Sequence, residues 1–445
     1  MTGVALRARL RATAHDAPLF RLALPALGAL IAEPLYVLTD TAIVGHLGTD
    51  QLAGLSLATA VILTGYAIFL FLAYGTTATV SRLIGAGRDA EAARQAVQGL
   101  WLAVTVGCVL AVAGLLTGDQ LIAWLGGEGA VAENASVYLR ISLFGFPALL
   151  VSLAAVGYLR GRQDTRSPLF VALATAVGNG VLESVLIFGF DQGIGASALS
   201  TVLAQTVAAV IYVRVVLGSA SGLGARLGPD GRAIARLGVV GLHIAARTAA
   251  LRGSLLLGVA VAARIGTDDL AAYEVGFQVW ALAALALDAV AIAAQALVGH
   301  ALGAGDGAQA RAIGRRAIEW GFAAGAAIAL LLILGRPWLG ALFTDDPDVA
   351  RLIGFSVLLV AAMQPLCGIV FALDGILIGA GDLRYLSVAM LAAFATFASS
   401  AGLVTAFDAG LGWLWAAFTA FMLARCAVLV GRFASPRWVV LGAVR

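Results

Sequence analysis

Apolar runs of about 20 residues recur along the whole chain of 445 residues. Each run is long enough to cross the hydrocarbon core of a bilayer as a helix. Charged residues make up only 12% of the sequence, whereas a soluble domain is about one quarter charged. A transmembrane barrel would instead show short segments of alternating hydrophobicity. The chain is therefore predicted to be an all-α polytopic membrane protein.

Hydropathy divides the chain into about twelve membrane spans. We place them at residues 20–44, 52–80, 95–117, 136–160, 167–190, 194–217, 242–264, 270–299, 312–334, 351–379, 384–407 and 411–432. Arginines precede the first span and then occupy every second loop, and aspartates and glutamates occupy the loops between them. Because arginine-rich loops stay on the cytoplasmic side, both termini are predicted to be cytoplasmic. The terminal arginines behind this orientation are Arg7, Arg9, Arg11 and Arg445.

Four sequence patterns recur in the second half of the chain at one constant offset in residue number (265 − 47 = 218). They begin at residues 47 and 265, 85 and 303, 147 and 365, and 157 and 375. One offset without insertions indicates a duplication into six-helix halves, 1–218 and 219–445, with a linker rich in Gly and Ser at about 218–235. An even number of spans gives both halves the same topology, so an axis along the membrane normal should relate them. By analogy, two such halves around a central cavity form an alternating-access architecture.

Three carboxylates lie inside apolar spans of the first half, namely Glu33, Asp40 and Glu183. A carboxylate inside the membrane costs a few kcal/mol on insertion scales, so each one calls for a reason. The repeat supplies a control, because the equivalent positions of the second half hold Leu251, Gly258 and Ala401. The first half is therefore predicted to have acidic chemistry of its own.

Helical spacing groups these acids. Glu33 and Asp40 lie two turns apart on one face of the first span, and Asn179 and Glu183 lie one turn apart in the fifth. Asp40 and Glu183 are at similar distances from the outer ends of their spans, which predicts a cluster of Asp40, Asn179 and Glu183. Such a cluster could bind and release a proton or hold Na⁺. The alternative is a buried hydrogen bond that joins the two spans.

Two prolines interrupt the first span. Pro34 directly follows Glu33, whose alternative role is to satisfy backbone groups that the proline frees. Pro25 is a second predicted bend in the same helix. A bend beside a titratable pair would convert protonation into motion.

Other candidates for substrate binding or gating are Tyr36 in the first half and a separate polar set in the second. That set comprises Glu274, Gln278, Asp288, Gln295 and Asp374. Aromatic side chains such as Tyr36 could line a cavity for flat cations, with packing as the alternative. For the acids, the alternatives are inter-helix hydrogen bonds and gate contacts.

Several classes of function are disfavoured. The sequence has no GxxxxGK[ST] phosphate loop, so ATP is not the predicted energy source. Its three cysteines and four histidines show no metal-ligand or disulfide spacing, and its arginines are too dispersed for a nucleic-acid surface. We therefore predict no cofactor, no metal, no nucleic-acid partner and no enzymatic activity.

Four stretches resemble the MATE (multidrug and toxic compound extrusion) family in its DinF-like branch, and the similarity runs from about Phe20 to Arg432. They are residues 33–48 (EPLYVLTDTAIVGHLG), 179–189 (NGVLESVLIFG), 286–299 (ALDAVAIAAQALVG) and 373–382 (LDGILIGAGD). The resemblance implies two six-helix lobes in a V around a central cavity. It also implies a monomeric antiporter in the bacterial cytoplasmic (inner) membrane, surrounded by lipid, that exports cationic or amphipathic compounds while H⁺ or Na⁺ enters.

The resemblance further implies that Asp40 is the principal ion-coupling carboxylate, with Asn179 and Glu183 as partners. The branch usually has Asp where this chain has Glu183. Another branch has an ion-site Glu at the place of Leu251, and its absence favours H⁺ over Na⁺.

One alternative is a lipid-linked-precursor flippase of the same superfamily, which would add spans and a basic central cavity. Arg247, Arg252 and Arg425 are the residues to inspect for it. A membrane-embedded transferase and a channel are further alternatives.

Overall fold

The computed structural model describes residues 14–443. The terminal arginines on which the predicted orientation depends, Arg7, Arg9, Arg11 and Arg445, lie outside the described residues. Within that range the chain forms fourteen α-helices and no strand. They are α1 (Asp16–Gly45), α2 (Thr49–Phe69), α3 (Phe71–Gly85), α4 (Asp89–Trp124), α5 (Gly129–Leu143), α6 (Phe146–Gly161), α7 (Arg166–Ser184), α8 (Ile194–Gly222), α9 (Gly231–Ile265), α10 (Thr267–Gly303), α11 (Gly307–Phe343), α12 (Pro347–Gly379), α13 (Leu383–Ala406) and α14 (Leu411–Ala434). A π-helical turn, Val185–Gly189, follows α7, and a 3₁₀ turn, Pro436–Trp438, follows α14.

The predicted number of spans is confirmed. Eleven helical segments in the described range are long and apolar enough to cross a membrane, and α5 with α6, bent by 51°, makes a twelfth. Several helices run past the predicted spans. For example, α11 extends beyond residues 312–334 at both ends, because a helix can continue into the polar interface where hydropathy no longer marks it.

Equivalent helices begin at the spacing of the sequence repeat. Thr49 and Thr267, Asp89 and Gly307, and Gly129 and Pro347 each start a helix, and every pair keeps the offset found between residues 47 and 265. These starts agree with an internal duplication, while the division into two lobes stays a prediction. The non-helical joint covers only residues 223–230, since α8 continues to Gly222 and α9 begins at Gly231.

Helix α1 packs on helices from both predicted halves. It is continuous through Pro25 and Pro34. Near its start, both Asp16 carboxylate oxygens accept hydrogen bonds from Arg316 on α11, at 2.5 and 2.9 Å. Further along, Ala26 packs against α10, and the second part of α1 lies against α7 and α8. A displacement of α1 would therefore change its contacts with both halves.

The two halves meet where α3 crosses α10. A Cβ atom on Gly85 would lie 2.0 Å from the carbonyl oxygen of His300, and one on Gly303 would lie 2.0 Å from that of Arg82. Arg82 and His300 are equivalent positions of the sequence repeat, as are the two glycines. The contact is thus reciprocal, with each half inserting its glycine against the other half's backbone.

Arg82 adds polar contacts at the same crossing. Its guanidinium donates hydrogen bonds to the carbonyl oxygens of Ala380 at 2.9 Å, Val440 at 2.6 Å and Gly442 at 2.8 Å. Ala380 follows α12, and the other two acceptors belong to the segment after the last helix. The crossing lies at the end of the bundle that carries the arginine-rich loops, and there the two halves are closed against each other.

We expect Gly303→Ala to destabilise this crossing. A backbone carbonyl occupies the space of the new methyl group, and overpacking of this kind costs about 1–3 kcal/mol. Thermal unfolding in detergent should therefore show a lower midpoint. Gly218→Ala in α8 is the matched control, because its added Cβ meets no atom within 4 Å. Equal midpoints for the two variants would show that the crossing is not tightly packed.

Candidate functional site

A buried polar cluster lies between α1, α5, α7 and α8. Asp40 on α1 accepts a hydrogen bond on Oδ1 from the Ser197 hydroxyl of α8, at 2.7 Å. The hydroxyls of Tyr36 and Thr201 share a hydrogen bond of 2.7 Å. Tyr138 of α5 is buried beside Asp40 and Thr201. Four helices of the first half thus supply one set of interacting polar groups.

The carboxyl groups of Asp40 and Glu183 are neighbours that interact directly. Asp40 is 5% exposed and Glu183 is fully buried. The Asn179 amide donates to Glu183 Oε2 over 3.4 Å, which is a long hydrogen bond. Asn179 Oδ1 and Glu183 Oε1 are buried without a hydrogen-bond partner among residues 14–443. The cluster predicted from helical spacing is therefore assembled, and two of its oxygens remain open to a proton or a cation.

A local irregularity follows the α7 residues of this cluster. Helix α7 ends at Ser184, directly after Glu183, and the chain continues as the π-helical turn Val185–Gly189. Single π-helical turns inside α-helices are frequent at functional sites, because the wider turn re-aims neighbouring side chains. The sequence gives no clear sign of this turn.

Three members of the cluster escaped the sequence analysis, namely Tyr138, Ser197 and Thr201. The only signal was the presence of Ser197, Ser200 and Thr201 in one apolar helix. Hydroxyl side chains in membrane helices usually bond their own backbone, as Thr175 does to Val171, so their presence alone predicted no site.

Within the part of the chain that the structure describes, the second half has no equivalent cluster. At the position equivalent to Asp40, a Cβ atom on Gly258 would lie 2.1 Å from the Tyr273 hydroxyl oxygen. Ala401, equivalent to Glu183, is fully buried among apolar side chains. The space that holds carboxylates in the first half is thus filled by packing in the second.

Glu33 lies apart from the cluster, two helical turns or about 10 Å along α1 from Asp40. Its side chain is exposed, and the charged group that attracts it is Arg160 of α6. Arg160 also interacts electrostatically with Asp288 and Tyr74. Glu33 therefore belongs to a central region of charged groups shared by both halves.

Tyr74 of α3 joins two of the predicted second-half residues. Its hydroxyl donates to Asp288 Oδ2 at 3.1 Å, and its backbone carbonyl accepts a hydrogen bond from Gln295 at 2.8 Å. Both partners lie on α10. Asp288 and Gln295 thus make contacts between the halves, which was one of the alternatives left open for Asp288.

Asp374 is held between two arginines. Its Oδ2 accepts from Arg247 at 2.7 Å and from Arg425 at 2.5 Å, and all three side chains are at least largely buried. Arg252, by contrast, is exposed. Arg247 and Arg425 are therefore engaged with a carboxylate, which leaves less positive charge for an anionic ligand than three unpaired arginines would.

The remaining candidates lie near the first turns of α10, where Glu274 is half-buried beside Tyr273 and Gln278 is exposed. Residues 14–443 contain no group of three or more His, Cys, Asp or Glu residues that could hold a metal ion.

Comparisons with known proteins agree with one another. The family model described as MatE matches residues 25–185 and 244–401. "Protein DETOXIFICATION 44, chloroplastic" of Arabidopsis thaliana is 32% identical over 425 residues, which cover 91% of this chain and 79% of that protein. "DNA damage-inducible protein F" of Escherichia coli is 30% identical over 419 residues, covering 93% and 91%. "Probable multidrug resistance protein NorM" of Thermotoga maritima is 25% identical over 373 residues, covering 82% and 80%.

Solved structures show the same fold. A MOP superfamily transporter from Pyrococcus furiosus superposes with a TM-score of 0.86 at 20% identity, covering 96% of this chain and 98% of that chain. An outward-facing multidrug resistance MATE family transporter superposes with a TM-score of 0.85, also at 20% identity, covering 96% and 97%.

We expect Asp374→Asn to destabilise the protein. Removal of one charge leaves two buried guanidiniums without their counter-ion, a change that typically costs about 3–5 kcal/mol. Thermal unfolding in detergent measures this loss, and Asp345→Asn at an exposed position is the control. A variant that unfolds like the wild type but transports poorly would instead assign Asp374 a direct role in transport.

Proposed function

This chain belongs to the MatE family of transporters, and from that premise we propose that it exports cationic or amphipathic compounds from the cytoplasm in exchange for protons. The observation that carries the proposal is the buried pair formed by Asp40 and Glu183. Two carboxyl groups can hydrogen-bond to each other only when one of them is protonated, because an ionised carboxylate is an acceptor only. The pair is thus suited to hold one exchangeable proton away from water.

Coupling requires that the proton bind differently in the two transport states, since otherwise its gradient could not drive export. Helix α1 offers the connection. Its second part carries Asp40 in the first-half cluster, and its first part is tied to α11 through Asp16 and Arg316. A change in the protonation of the pair alters the contacts of Asp40 on α1, and α1 contacts both halves, which is how ion binding could open the crossing of α3 and α10.

The central charged region supports a substrate with a cationic group. Glu33 is exposed there, and Asp288 is a half-buried residue. The flippase alternative is disfavoured, because Arg247 and Arg425 both engage Asp374 and the number of spans does not exceed twelve in the described residues.

Sodium is the second candidate for the coupling ion. Asn179 Oδ1 and Glu183 Oε1 are the two open oxygens beside a second carboxylate, and hard cations prefer oxygen ligands of this kind. The same cluster would serve either ion, so the transport assay must separate them. We further propose a monomer in the bacterial inner membrane, surrounded by lipid and with both termini in the cytoplasm.

We expect Asp40→Asn to abolish export driven by a proton gradient. An amide keeps the shape of the side chain but is neither ionisable nor charged, so the pair loses one of the two carboxyl groups that share the exchangeable proton. Substrate movement should therefore fall to the level of a passive leak. The assay follows ethidium or norfloxacin in proteoliposomes with an imposed pH gradient or, separately, an imposed Na⁺ gradient.

Asp191→Asn, in the exposed segment before α8, is the control and should transport like the wild type. Wild-type transport by Asp40→Asn would contradict the assignment. Movement driven only by Na⁺ would replace the proton by the second candidate ion, and movement under neither gradient would revive the flippase alternative.

A further inference from the structure

We propose that Glu183 carries the coupling proton and that Ser197 is the positioning residue that keeps it there. This inference rests on the proposed function for the identity of the ion, and it concerns which of the two carboxyl groups is protonated. It is drawn from the unequal distribution of hydrogen-bond donors around the pair.

Donors converge on Asp40. The Ser197 hydroxyl donates to its Oδ1 at 2.7 Å, and Tyr138 is buried beside the same carboxyl group. Hydrogen bonds to an ionised group are worth about twice those between neutral groups. The surroundings of Asp40 therefore suit a carboxylate that accepts hydrogen bonds.

Glu183 has the opposite surroundings. It is fully buried, its Oε1 has no partner among the described residues, and the Asn179 amide approaches its Oε2 only to 3.4 Å. A buried acceptor without a donor loses its hydration without compensation, and the loss is largest when the group is charged. As a neutral acid, Glu183 can turn its hydroxyl toward Asp40 and donate the hydrogen bond that joins the pair.

The other polar groups that face the pair do not favour a proton on Asp40 over a proton on Glu183. Tyr36 and Thr201 are hydrogen-bonded to each other at 2.7 Å. Ser197 also neighbours Glu183, but its hydroxyl has one proton to donate, and the 2.7 Å bond goes to Asp40. Once Ser197 donates to Asp40, its oxygen can only accept from Glu183, which again requires a protonated glutamate.

Infrared spectroscopy of the whole protein in lipid tests the proposal, because the carbonyl stretch of a protonated carboxylic acid is separate from that of a carboxylate. Selective ¹³C labelling of glutamate or aspartate side chains identifies the residue type. At neutral pH, we expect the frequency of the protonated band to shift when glutamate is labelled and to stay unchanged when aspartate is labelled. The band should be absent in Glu183→Gln.

Ser197→Ala tests the positioning role. Without the donor to Asp40, the ratio of protonated glutamate to protonated aspartate should fall by about 10-fold or more. The reason is that a hydrogen bond to a charged group contributes more free energy than a shift of one pKa unit. Part of the band should then move with labelled aspartate. Ser200→Ala is the matched control, because Ser200 is equally buried on the same helix but donates to the backbone carbonyl of Ser197.

A band that moves with labelled aspartate in the wild type, or the absence of any protonated band, would overturn the inference. An unchanged ratio in Ser197→Ala would overturn the role of Ser197. These failures differ from failure of the proposed function. Assignment of the proton to Asp40 leaves proton-driven export intact, whereas export driven by Na⁺ alone removes the proton as the coupling ion.

Discussion

The exclusion of water from two neighbouring carboxyl groups is the constraint on which the first half depends. Asp40 and Glu183 come from different helices, and both are buried. An arrangement of this kind is stable only if protons, hydroxyl donors or a cation balance the charge. Ser197, which donates to Asp40, and Tyr138, which is buried beside it, lie on two further helices, so four helices pack around one polar centre.

The buried carboxylate of the second half has charged rather than uncharged partners. This carboxylate, Asp374, accepts hydrogen bonds from two arginines. A guanidinium keeps its proton in a protein, so the two arginines hold fixed positive charge beside Asp374. The pair of Asp40 and Glu183 is instead surrounded by hydroxyl and amide groups. The two halves thus surround their buried carboxylates with different partners, arginines in the second half and uncharged donors in the first.

Much of this could be predicted from the sequence. Apolar runs indicated the number of spans, because the bilayer sets helix length. Helical spacing and loop distances grouped Asp40, Asn179 and Glu183, because spacing along one helix and depth in the membrane are both readable from one chain. Contacts between helices distant in sequence were not readable, which is why Ser197 and the arginine partners of Asp374 were missed. Glu33 was grouped with Asp40 by its position on one helical face, but its neighbour Arg160 could not be foreseen.

The crossing of α3 and α10 has a consequence for the origin of the fold. Gly85 contacts His300 as Gly303 contacts Arg82, so the two repeats make the same contact in reciprocal directions. In a homodimer, an interface of this kind is called isologous, and identical surfaces form it around a two-fold axis. A single six-helix chain could therefore have made the same crossing with a second copy of itself. Fusion of two copies would preserve that interface while freeing each copy to acquire its own buried charges.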